Sequence, residues 1–110
     1  MSLPILDKES LKKPLCYNPE KKKFLYYSDL VSGKKKIVYP DSLSQEDLKL
    51  LVIERLRKGP EFTMQSISGA PFNREETMEA VRNDEETGLM TMEAEASMLT
   101  DLLQLIEENL

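Results

Sequence analysis

Hydrophobic and polar positions change period several times along this 110-residue chain. Residues 1–20 carry Pro4, Pro14 and Pro19 and hold no sustained period, which predicts an irregular lead-in with Leu11, Leu15 and Tyr17 packed on the body. From Phe24 the chain reads FLYYSDLV, then SG, then KKKIVYP. Aromatic and β-branched residues on either side of Ser32-Gly33 predict a β-hairpin over 23–40, with the glycine taking positive φ in a two-residue turn. That register sets Tyr26 opposite Tyr39, Ser28 opposite Ile37, and Asp29 opposite Lys36 as an opposite-charge pair. Pro40 ends the second strand, because a proline has no N–H for the ladder.

Helical spacing follows. Over 44–58, Leu48, Leu51, Val52 and Leu56 recur at helical intervals. Ser44 is placed to cap the start, Glu46 and Asp47 favour the positive end of the helix, and Arg55, Arg57 and Lys58 the negative end. Leu50 and Ile53 widen the apolar face, which marks a central helix touched on two sides. Phe62–Ile67 alternates as a third short strand, and Ser68-Gly69-Ala70-Pro71 turns the chain. A second helix over 74–83 starts at a capping box formed by Asn73 and Glu76. The last segment, 88–109, steps from Met92 through Ala96, Leu99, Leu103 and Ile106 to Leu110 in a heptad-like alternation, with Met98, Leu102 and Leu105 alongside. The elements add up to one α+β domain over 1–110: a β-hairpin and a third short strand packed against three helices, the C-terminal one long and amphipathic.

Composition narrows the chemistry. Histidine and tryptophan are absent and Cys16 is the single cysteine. A disulfide scaffold, a zinc site of the Cys/His kind, and the Ser-His and Cys-His hydrolases are all excluded on residue type. Nothing at the start resembles a signal peptide, and the longest aliphatic run, Leu50–Ile53, is far short of a bilayer span. A cytoplasmic protein of bacterial type, without membrane association, is expected. The net charge of −5 conceals a division. Residues 1–58 hold 13 basic against 8 acidic side chains, and residues 59–110 hold 2 against 12. Such a split points to nucleic acid, a tail or a self-complementary surface.

The motifs yield no catalytic constellation. SDLVSGKK over 28–35 imitates a phosphate-binding loop, but it lacks the first glycine and the Ser or Thr after the lysine. Ser10–Lys13 and Ser32–Lys35 both fit Ser-x-x-Lys, yet the lysines lie in charged clusters rather than desolvated sites. Carboxylates at Glu75, Glu76, Glu79 and at Asp84–Glu86 lack the glycine and alternation of a calcium loop and read as helix-surface charge. Cys16 has no partner that would make a thiolate and reads as a small buried residue.

Two binding surfaces are expected. The broad last helix supplies a protein interface at Met92, Leu99, Leu103, Ile106 and Leu110, since small folds with surplus apolar helix surface associate readily. Lysines 21–23 and 34–36, interleaved with tyrosines, supply the alternative, a nucleic-acid contact through Lys21, Lys22, Lys23, Tyr26, Lys34, Lys35 and Lys36. In the expected hairpin those triplets lie about 30 Å apart at ~3.3 Å per residue, which argues against one concentrated site. The sequence is therefore read as a non-enzymatic protein–protein interaction module needing no cofactor or metal. Its expected partner is a second copy in a homodimer or another protein, and nucleic-acid binding is the second reading.

Overall fold

Turn chemistry at Asn18 places the β-hairpin earlier in the chain than the hydrophobic pattern suggests. The computed structural model describes residues 8–33, 36–60, 63–65 and 71–110. After one helical turn, α1 (Lys8–Leu11), strand β1 (Cys16–Asn18) pairs antiparallel with β2 (Lys23–Leu25), setting Cys16 opposite Leu25, Tyr17 opposite Phe24 and Asn18 opposite Lys23. The side-chain oxygen of Asn18 accepts the N–H groups of Glu20 at 3.0 Å and Lys21 at 3.3 Å. Asn before Pro favours this side-chain-mimicked turn, and Lys22 completes the reversal at φ +52°.

The hairpin expected over 23–40 is thus corrected, and the cause lies at Asp29. Its carboxylate accepts the N–H of Tyr26 at 2.9 Å, and the Tyr26 carbonyl accepts the N–H groups of Asp29 and Leu30. This local exchange starts a short helix, α2 (Tyr27–Val31), where aromatic and β-branched propensity favours a strand. Gly33 does take positive φ, +75°, but it does so past a helix end, where its N–H reaches the Leu30 carbonyl. Lys36–Tyr39 is not strand; Ile37, Val38 and Tyr39 lie partly buried against the core, and Pro40–Ser42 forms one 3₁₀ turn. The lead-in is corrected too, because it supplies β1 and the buried Leu15, Cys16 and Tyr17, while Leu11 stays exposed.

The remaining elements are α3 (Gln45–Lys58), β3 (Thr63–Gln65), β4 (Pro71–Asn73), α4 (Arg74–Arg82) and α5 (Glu86–Glu108). The Ser44 hydroxyl caps α3 by accepting the Asp47 N–H at 3.1 Å, and Asn73 and Glu76 exchange both bonds of a capping box on α4. Within the segment expected as a third strand, Thr63–Gln65 pairs antiparallel with Pro71–Asn73 as a sheet of its own, separate from β1–β2. Phe62, Ser66, Ile67 and the turn at 68–70 lie outside the described residues. The protein is α+β, with a β-hairpin packed on helices and a long C-terminal helix.

Gly88 falls inside α5 rather than at its boundary. A Cβ there would collide with the Ala80 carbonyl and the Val81 nitrogen, so glycine is what lets α5 cross α4 at backbone contact. Two apolar clusters result. One joins Leu15, Cys16, Tyr17 and Leu25 to Leu30, Leu51, Leu99, Leu103 and Ile106. The other joins Val52 and Leu56 to Met78, Val81 and Met92. Leu51 enters the first and Val52, with Ile53 packed alongside, the second, so α3 serves both clusters, while Leu50, expected to widen its apolar face, is exposed. α5 runs past both.

Polar ties among the described residues also cross between elements. Lys49 reaches Asp84 at 3.0 Å and the Arg82 carbonyl at 3.3 Å, clamping α3 to the end of α4; its ammonium pKa is pushed up, first by the hydrogen bond to Asp84. Buried Arg55 donates to the Pro14 carbonyl at 2.8 Å and pairs with Glu95 of α5 at 3.4 Å, while its Nε lacks a partner among the described residues. Arg74 donates to the Gly59 carbonyl at 2.8 Å. The molecule measures 42 × 28 × 19 Å. Its shortest dimension is about two helix layers at ~10 Å each, so a helix packed on one side meets solvent on the other.

Candidate functional site

α5 is long for so thin a body. Its 23 residues extend about 34 Å at ~1.5 Å per residue, and its inner side is used up by the two clusters. Met92, Leu99, Leu103 and Ile106, the residues expected at a protein interface, are buried inside this chain. That placement is a correction. The heptad stripe satisfies the chain's own core first, because the flanking elements already cover it. Leu110, the fifth of that set, is exposed beyond the helix end.

The outer side of α5 is apolar as well. Met90 is 53% exposed, Met98 42% and Leu105 48%, and Ala94 and Ser97 between them are exposed too. At 3.6 residues per turn these positions share a sector of roughly 100° with Asp101, opposite Met92 and Leu99. Met90, Glu93, Ala94 and Ser97 line a shallow depression of about 380 Å³, where small side chains leave room for close approach. The sequence signal was present in Met98 and Leu105, which broaden the stripe, but the alternation alone does not tell which side of a two-sided helix is covered.

Beside this stripe lies an acidic recess. Tyr39, Asp41, Thr100, Gln104, Glu107 and Glu108 line an open space of about 550 Å³. The Tyr39 phenol shares this recess with the Glu107 and Glu108 carboxylates; its pKa is raised, first by burial and then by the Glu107 charge. No lysine or arginine occurs on α5, which carries Glu86, Glu93, Glu95, Asp101, Glu107 and Glu108. Of these, Glu95 is paired with Arg55. Joining Tyr39 to Glu107 depends on tertiary packing, so no local pattern could have revealed the recess.

The lysines distribute differently. Lys21, Lys22 and Lys23 are exposed around the β1–β2 turn. Lys36 is exposed and lines a depression of about 420 Å³ together with Asn18, Pro19 and Glu20. Lys36 therefore lies near the β1–β2 turn, and the separation expected from a long hairpin does not hold for it. Lys34 and Lys35 lie outside the described residues. The rings that nucleic-acid stacking would need are mostly occupied. Tyr17 packs on Phe24 with centroids 5.1 Å apart, and Phe24, Tyr27 and Tyr39 lie against the core. Tyr26 is half-buried where β2 meets α2, and its phenol is pushed up by burial and then by the Glu54 charge.

The acidic run of α4 has local uses. Glu75 pairs with Arg74, Glu76 closes the capping box, Glu79 binds Arg82 and Asn83, and Asp84 holds Lys49. Asp84 also occupies the left-handed region, φ +55°, in the turn between α4 and α5. Cys16 is wholly buried and burial raises its thiol to about 11, a backbone hydrogen bond with Val38 opposing more weakly. Such a thiol is inert at neutral pH. Among the described residues no group of three or more His, Cys, Asp and Glu is placed to hold a metal ion, and no helix is long and apolar enough to cross a membrane. No protein-family model matches the chain, and no curated protein or solved structure is detectably similar to it.

Proposed function

We propose that this chain is a non-enzymatic protein–protein interaction module that docks its partner on the outer side of α5. One observation carries the reading, the row of exposed Met90, Ala94, Met98 and Leu105 along a helix whose inner side already serves the core. Apolar surface gathered on one element gains free energy from being covered, at about 25 cal/mol per Å². Methionine suits such a surface because its unbranched, polarizable side chain adapts to the shape it meets. Chemistry has less support, since the carboxylates of α4 are engaged in caps and ion pairs and the cysteine is buried.

The test is photocrosslinking from a benzoylphenylalanine placed at position 98 or 105, in the host cell, with position 46 on exposed α3 surface as the control. A discrete adduct from 98 and 105 that is absent from 46 is expected. Equal, diffuse labelling from all three positions would overturn the reading.

A further inference from the structure

Building on the interaction reading, we infer that the occupant of α5's outer side is a different protein's amphipathic helix, apolar along one face and rimmed with lysine or arginine. The argument is electrostatic. Glu93 lines the depression beside Met90 and Ala94, exposed Asp101 falls within the apolar sector itself, and the Tyr39–Asp41–Glu107–Glu108 recess lies along its flank. α5 offers no cation to balance them. A second copy docked by the same face about a two-fold axis would set Glu93 and Asp101 of both chains along one seam, and like charges so placed oppose association. An anionic membrane and a nucleic acid meet the same repulsion. A basic rim reverses the sign: its apolar residues cover Met90, Met98 and Leu105 while one cationic side chain enters the recess that Glu107 and Glu108 line together with Tyr39 and Asp41. The small Ala94 and Ser97 leave the depression into which such a helix settles.

The probes are two short helical peptides with the same leucine face, one flanked by lysines and one by glutamates, titrated by fluorescence anisotropy against the intact chain. Binding of the lysine-flanked peptide alone is expected, with affinity falling as salt is raised. Met98→Glu, and separately Asp101→Lys with Glu108→Lys, should each weaken it by about tenfold or more, while charge reversal at the remote Glu46 leaves it nearly unchanged. The inference is overturned by equal binding of both peptides, by binding indifferent to Met98→Glu, or by a concentration-dependent dimer in sedimentation that Met98→Glu abolishes. The last result, or crosslinks from position 98 without lysine-peptide binding, would sink the charged-helix occupant yet leave the interaction reading standing. Diffuse crosslinking would remove both.

Discussion

Between α4 and α5 the largest substituent Gly88 can carry is a hydrogen, since a Cβ meets the Ala80 carbonyl. On helix propensity alone Gly88→Ala would gain about 1 kcal/mol. Here the change should instead lower stability by about 2 kcal/mol or more through overpacking against backbone, read as a drop in midpoint in thermal or urea melts. Cys16 gives a second residue-scale prediction. Its thiol titrates at about 11 in the fold against 9.0 when unperturbed, so the unfolded chain releases its proton first as pH rises. Stability is then fully present below pH 9 and falls from 9 to 11, by about 2–3 kcal/mol at ~1.36 kcal/mol per unit. Urea melts across that range should show a shallower decline in Cys16→Ala; identical slopes would contradict the burial account. Tyr26, Tyr39 and Lys49 add to the alkaline loss in both proteins, because their pKa values are raised as well. Burial of Cys16 was legible from its apolar neighbours. The role of Gly88 was not, because the same residue type marks helix ends and helix crossings alike.

At the scale of elements, caps were readable and pairings were not. Ser44, and Asn73 with Glu76, announced α3 and α4 through contacts only three residues long. Tyr26–Asp29 is an equally short signal, but it was overshadowed by the strand propensity of the aromatic and β-branched residues around it. The hairpin partner of β2 was hidden in a proline-containing lead-in, although Asn18-Pro19 is itself a turn signal. α5 was visible as a long apolar helix, yet periodicity does not say which of two apolar sides other elements cover. A pair of substitutions makes that division measurable. Leu103→Glu places a carboxylate in the first cluster and should cost more than about 4 kcal/mol or prevent folding. Met98→Glu, one and a half turns away on the outer side, should change stability by no more than ~0.5 kcal/mol. Circular dichroism melts of the two proteins check both expectations, and a Met98→Glu protein as unstable as Leu103→Glu would place that side in the core.

For the whole molecule, the charge division read from the sequence acquires a location. Part of it closes internally, through Lys49–Asp84 and Arg55–Glu95. The remainder stays at the surface, as lysines around the β1–β2 turn and as acids along α5. With most rings turned to the core, the basic end offers phosphate contact without a stacking platform, so DNA and RNA should bind weakly and without sequence preference, and lose that binding between about 50 and 200 mM salt. Salt-resistant binding in a filter or anisotropy assay would restore the nucleic-acid reading. The acidic end, with its apolar row, is the side on which the proposed protein partner would dock. Methionines report on it directly, since Met90 and Met98 face outward while Met78 and Met92 are buried. The most direct measurement is a methionine-methyl NMR spectrum of the intact chain with a soluble paramagnetic probe, recorded with and without the protein captured from position 98. Of the four methionines with described burial, Met90 and Met98 should be broadened in the free chain and Met78 and Met92 spared, and the first two should become shielded in the complex. Unchanged broadening of both methyls on adding the partner would contradict docking on α5.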